Sequence, residues 1–160
     1  MAFGALSLKG RALRYLAQRE HSRAELQRKL ARHLQSKGGD AGEDPEAARQ
    51  QIDLALDELA AAGLLSDERA ADSVLSAQGR RFGSRRLKQV LQDKGLSPDL
   101  VSHTLQQARG SELERAREVW RRRFGEVPAD AAERAKQMRF LAGRGFDGDV
   151  IRRVLKPTDD

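Results

Sequence analysis

The 160-residue chain contains no cysteine, which excludes disulfide staples, thiolate nucleophiles and cysteine metal sites. Aromatic residues make up only 4% of it, so a core must come from Leu, Ala and Val. Few rings are left to form a stacking platform for single-stranded bases. No apolar run approaches the ~20 residues needed to span a bilayer. Met1-Ala-Phe-Gly-Ala-Leu-Ser7 lacks the basic flank and long apolar stretch of a secretory signal. A soluble cytoplasmic protein with no membrane partner is therefore expected. His21, His33 and His103 stand apart, with no His-Glu-x-x-His spacing, so no metal is expected. Neither Gly-x-Ser-x-Gly nor a Gly-x-x-x-x-Gly-Lys phosphate loop occurs. These absences predict a protein that is not an enzyme and needs no cofactor.

What is present is helical periodicity, and a repeat. Leu91-Gln-Asp-Lys-Gly95-Leu-Ser97-Pro-Asp99-Leu-Val101 matches Leu141-Ala-Gly-Arg-Gly145-Phe-Asp147-Gly-Asp149-Val-Ile151, fifty residues on. Each copy reads as a helix end, a basic residue and a glycine suited to a left-handed C′ position. An apolar residue, an N-cap and an amphipathic helix follow. A fixed period of this size predicts a helical repeat protein that presents a surface to a partner.

The whole chain reads as nine helices. Ser7 opens the first, with Leu13 and Leu16 as its apolar edge. Ser22-Arg-Ala-Glu25 is a capping box before Leu26, Leu30 and Leu34. A polar connector at 35–46 leads to a third helix bearing Ile52, Leu56 and Leu59, which stops at Gly63. Ser66 or Asp67 caps a fourth, running to about Arg80. Phe82-Gly-Ser84 turns into a fifth, and Ser97-Pro98 opens a sixth. Ser111-Glu-Leu-Glu114 is a second capping box, and Asp130 and Asp147 head the last two helices. Thr158-Asp-Asp160 reads as a frayed end. The expected fold class is all-α: three tandem three-helix repeats, at 8–62, 67–108 and 112–156, forming an elongated or curved array.

Thirty Lys and Arg against twenty-four Asp and Glu give a net charge of +6, which suits an anionic partner or an acidic protein surface. The cations are unevenly spread. Arg80, Arg81, Arg85, Arg86 and Lys88 lie between Asp72 and Asp93 with no acid among them. Like charges at helical spacing repel by a few tenths of a kcal/mol, which an acidic partner would reverse. Arg81, Arg85, Arg86 and Lys88 are therefore the first candidates for partner or DNA binding. Arg121, Arg122, Arg144, Arg152 and Arg153 are secondary. Glu118 precedes Arg122 by four residues, Asp149 precedes Arg153 by four, and Glu25 precedes Lys29 by four, so those cations are expected to be partly neutralised. Trp120, Phe124, Phe82, Phe140 and Phe146 are expected in the core.

In its order of motifs the chain resembles the RecX family, bacterial regulators of the RecA recombinase. The likeness is carried by Ala12-Leu-Arg-Tyr-Leu-Ala-Gln-Arg-Glu-His-Ser22-Arg-Ala-Glu-Leu26, Gly63-Leu-Leu-Ser-Asp-Glu-Arg69 and Phe82-Gly-Ser-Arg-Arg-Leu87 with Lys94-Gly95-Leu96. Arg139-Phe-Leu-Ala-Gly-Arg-Gly-Phe146 and Ile151-Arg-Arg-Val-Leu-Lys156 complete it. Two features depart from the family pattern: Ala70 where an aromatic is usual, and a longer, more glycine-rich connector.

The resemblance implies a monomeric, non-enzymatic modulator, mainly an inhibitor, acting in recombination, DNA repair and the SOS response. It would bind in the groove of the RecA–single-stranded-DNA filament and limit ATP hydrolysis, strand exchange and filament growth. Nucleic acid would be met mainly through the filament and more weakly alone. The alternatives are a helix-turn-helix type of direct DNA-binding protein and a generic protein-interaction solenoid.

Overall fold

The computed structural model describes residues 6–36 and 44–157. Most of the 35–46 connector and the Thr158–Asp160 end lie outside them. Nine helices and no strand occur among the described residues. They are α1 (Leu8–Gln18), α2 (Arg23–Ser36), α3 (Pro45–Ala61), α4 (Asp67–Gln78) and α5 (Ser84–Asp93). α6 (Pro98–Arg109), α7 (Glu112–Arg123), α8 (Ala131–Gly143) and α9 (Gly148–Leu155) complete the order.

The helices start where the local chemistry directs. The Ser7 hydroxyl accepts from the Gly10 amide at 3.0 Å, and the Asp130 carboxylate accepts from the Glu133 amide at 2.8 Å. Ser97 caps Leu100 at 3.2 Å, with Pro98 at the first helical position where its missing N–H costs nothing. Ser66 caps Arg69, and Gly63, Gly95 and Gly145 take up φ of +74°, +70° and +85° after their helices. Two expected caps fail. Ser111 makes no cap bond, because its hydroxyl donates to the Ala108 carbonyl, and Asp147 heads α9 without a side-chain bond to it.

The chain divides into two compact units, one running through Ala70 with Lys94–Leu96 added, the other comprising Ala71–Asp93 and Ser97 onward. In the first, α1, α2 and α3 pack around Ala12, Leu26, Leu30, Ile52, Leu56, Leu59 and Leu65. Each fully buried leucine is worth about 2–3 kcal/mol of transfer free energy. Leu13 is 37% exposed; the inward residue of α1 is its neighbour Ala12, whose small side chain lets the helices approach. In the second unit, Ala116, Leu141, Phe146, Ile151, Val154 and Leu155 from α7 to α9 form another core.

The capping box at α2 is reciprocal: Ser22 N–H donates to Glu25 Oε1, and Glu25 N–H to Ser22 Oγ, both at 3.1 Å. A distant turn then joins it. The Ser22 hydroxyl donates to the Lys94 carbonyl at 2.5 Å, and the Lys94 ammonium donates to Glu25 Oε1 at 3.1 Å. Arg19 holds the other carboxylate oxygen at 2.8 Å, and Asp67 accepts the Arg23 amide at 2.8 Å. Glu25 is therefore spent on Arg19 and Lys94, and the expected Lys29 pairing does not form.

Burial alone would raise the Glu25 carboxyl, but hydrogen bonds from Arg19, the Ser22 amide and Lys94 outweigh it and bring it down to about 2 from an ordinary 4.5. Its folded-state pKa is depressed, so the stability it contributes is complete above about pH 4.5 and is lost as pH falls towards 2. Glu25→Gln is expected to remove that part of the acid unfolding limb and to cost about 2 kcal/mol at pH 7. Urea unfolding across pH 2–7 measures both.

Candidate partner-binding surface

The surface around Phe82 is built on a backbone-to-backbone joint. α5 begins at Ser84 with no acid in its first turn, and its third position, where α2 has Glu25, is Arg86. Its orphan amides are met from elsewhere. Glu112, at the start of α7, accepts from the Ser84 amide at 3.0 Å and from the Ser84 hydroxyl at 2.8 Å. The α8–α9 turn supplies two more acceptors: Gly83 N–H donates to the Arg144 carbonyl at 2.9 Å, and Arg85 N–H to the Gly145 carbonyl at 3.0 Å. A β-carbon on Gly83 would meet the Gly145 oxygen and Phe146 nitrogen at 2.5 Å, and one on Gly145 would meet Arg86 Cβ at 2.5 Å. Only glycine fits on either side.

Arg115 fixes the preceding turn. Its guanidinium donates to the Gly79 carbonyl, to the Phe82 carbonyl at 2.7 Å and to the Ala108 carbonyl at 3.0 Å. α4 ends at Gln78, two residues before the expected limit.

With the two turns locked together, residues far apart in the chain become neighbours. The Arg86 guanidinium lies 4.1 Å from the Phe82 ring centre, Arg81 5.7 Å and Arg144 5.8 Å. Arg144 also lies 5.2 Å from Phe140, which Arg123 approaches at 5.7 Å. Phe140 meets Phe124 edge-on at 5.4 Å, and Arg123 covers Phe124 at 5.5 Å. The result is a ladder of alternating cations and rings, each contact worth about 0.5–1 kcal/mol at a wet surface. Arg81, Arg86, Arg123 and Arg144 enter no ion pair among the described residues.

The nine candidate cations thus separate. Arg81, Arg86 and Arg144 meet on Phe82. Arg85 is highly exposed but faces Asp147 at 3.7 Å, so the stretch free of acids in sequence is not free of them in space. Lys88 and Arg153 are exposed on α5 and α9. Arg121 and Arg122 share Glu118 at 3.7 and 3.1 Å. Asp149 pairs with Arg152 rather than with the expected Arg153.

Phe146 is buried and Trp120 partly so, its indole N–H donating to Gln137 at 2.8 Å, in keeping with core packing. Phe140 is half-buried and packs against the same core, while Phe82 and Phe124 are half-buried with arginine on their faces, which corrects the assignment of those two to the core. Arg123 and these rings were missed as site residues, although the four-residue steps Phe82 to Arg86 and Phe140 to Arg144 were visible. Among the described residues no group of three or more His, Asp or Glu is placed to hold a metal ion. No helix there is long and apolar enough to cross a membrane.

Residues 111–155 match the family model of the third three-helix domain of RecX. A regulatory protein RecX from Leptothrix cholodnii is 53% identical over 96% of this chain and 90% of its own length. Another, from Ralstonia nicotianae, is 44% identical over 96% and 89%. The chain belongs to the RecX family. The fold agrees: the crystal structure of RecX from Lactobacillus salivarius superposes with a TM-score of 0.72 at 21% identity, over 92% of each chain. The all-helical architecture of three-helix domains is therefore that of RecX, and the ladder lies on a family member whose relatives are named as regulatory proteins.

The joint that positions the ladder should be intolerant of a single methyl group. Gly83→Ala and Gly145→Ala are each expected to destabilise by about 2–4 kcal/mol, through backbone overlap at 83 and through overlap plus positive φ at 145. Gly63→Ala, where φ is +74° but nothing lies within 4 Å, should cost only about 1–2 kcal/mol. Chemical denaturation of the three variants gives the ranking.

Proposed function

We propose that this chain modulates the RecA recombinase, chiefly as an inhibitor. It occupies the groove of the RecA–single-stranded-DNA filament and limits ATP hydrolysis, strand exchange and filament growth. The observation that supports this most is the set of guanidiniums on Phe82 and Phe140 that lack a carboxylate partner among the described residues. Held by rings, these cations repel one another and are already oriented, so an acidic filament surface or a DNA phosphate gains their charge at little ordering cost.

Arg81, Arg86 and Arg144 carry most of the contact, with Arg123 beside them. Lys88 and Arg153 add charge. Arg85, Arg121, Arg122 and Arg152 contribute less, because each already faces a carboxylate. The triplets at 8–62, 67–108 and 112–156 serve as the repeating units. The protein acts in the cytoplasm as a monomer, by occupancy and not by catalysis, and meets single-stranded DNA mainly through the filament.

The decisive measurement is the rate of DNA-dependent ATP hydrolysis by RecA, at fixed single-stranded DNA, titrated with this protein. Inhibition is expected at protein well below the RecA concentration, with weak binding to the same DNA alone. The double variant Arg86→Gln/Arg144→Gln should need about tenfold more protein for the same effect, a loss of ~1.4 kcal/mol. Its circular dichroism should be unchanged. No inhibition, or inhibition relieved simply by adding DNA, would overturn the proposal and favour direct DNA binding.

A further inference from the structure

A second basic cluster, in the unit built on α1 to α3, is not used by the reading above. His21 is fully buried, and its Nδ1 lies 3.0 Å from the Arg19 carbonyl oxygen. A carbonyl only accepts, so that nitrogen carries the proton and Nε2 is left as an acceptor. Lys29 donates to it, Nζ to Nε2 at 2.8 Å. The same ammonium lies 4.6 Å from the centre of the Tyr15 ring, which packs at 5.8 Å against His21.

Lys29 is thus held by a neutral imidazole and a π face, with no ion pair to a carboxylate among the described residues. Glu25, one helical turn away, is occupied by Arg19 and Lys94. Two of the three ammonium N–H bonds remain for another acceptor.

That side chain lines a pocket of about 420 Å³ together with Tyr15, Arg32, His33 and Ser36. No carboxylate is among the lining residues that the structure describes. Arg32 is exposed and enters no ion pair among the described residues. Burial and then the charges of Arg19, Arg32 and Lys94 push the Lys29 amine below its ordinary value, with Glu25 opposing.

We propose that this pocket is a phosphate-binding site, with Lys29 as a point charge and the Arg32 guanidinium as a planar fork on the anion oxygens. The immobilised ammonium makes the site more than a pair of surface cations, because its position is set by a buried histidine. The phosphate comes either from a free phosphorylated small molecule or from a nucleic-acid backbone. The site stands independently of the recombinase proposal.

Proton NMR of the full chain tests it. Tyr15 is the sole tyrosine, so its ring resonances are readily followed beside those of the His21 imidazole. The chain is titrated at constant ionic strength with sodium pyrophosphate, and separately with an oligothymidylate. Both sets of resonances should shift together and saturate. Arg32→Gln and Lys29→Gln should each weaken the apparent affinity tenfold or more, while the exposed Lys136→Gln leaves it unchanged. Arg32 lies at the surface, so its variant tests the site without touching the His21 packing. Saturation by pyrophosphate alone assigns a free phosphorylated ligand, and saturation by the oligonucleotide assigns a backbone. Drift without saturation, or equal affinity in wild type and both variants, overturns the site.

Discussion

A glycine turn laid against the first turn of a helix is the contact on which the rest of this structure depends. It occurs once in each compact unit. In one, the Lys94–Leu96 turn meets the start of α2, where Ser22 binds the Lys94 carbonyl and a β-carbon on Gly95 would strike Ala24. In the other, the Arg144–Phe146 turn meets the start of α5, with Gly83 against Gly145. The physical basis is common to both. A helix begins with amides that have no intrahelical acceptor, and a turn ends a helix with carbonyls that have no donor. Bringing the two together satisfies both, provided that no side chain stands between them.

The two joints solve the capping problem differently. At α2 the acid is local, in Glu25, and an incoming lysine completes its coordination. At α5 the third helical position is Arg86, which offers no acceptor, so the acid comes from Glu112 and further acceptors are backbone carbonyls. In each case the first residue of a later helix, Asp67 or Glu112, reaches an amide at the start of an earlier one. The acids that the joints consume are no longer available to neutralise cations. This is why Lys29 rests on His21 and Tyr15, and why the arginines around Phe82 are held by rings.

Much of this was legible beforehand where the determinant is local. Ser7, the Ser22–Glu25 box, Ser97-Pro98, Asp130 and the glycines at 63, 95 and 145 all act within a few residues of themselves, and the helix ends follow them. The failures have one origin. Ser111 and Asp147 have the composition of caps, but the Ser111 hydroxyl turns to Ala108 and Asp147 lies near Arg85. Leu13 is more apolar than Ala12, yet the closeness of packed helices selected the smaller residue for the interior. The basic residues are unevenly spread along the chain, but whether each is neutralised depends on acids elsewhere in it.

Local sequence specifies an all-helical chain, most of the places where its helices begin and end, and the family to which it belongs. Those properties rest on periodicity, capping and glycine conformation, which operate over a turn or two of chain. The tertiary structure decided which cations share a ring and which face an acid. It also decided that a solitary histidine would become the seat of a lysine. Arg144 reaches Phe82 only because two turns dock through their backbones, and no local pattern encodes a contact made by groups common to every residue.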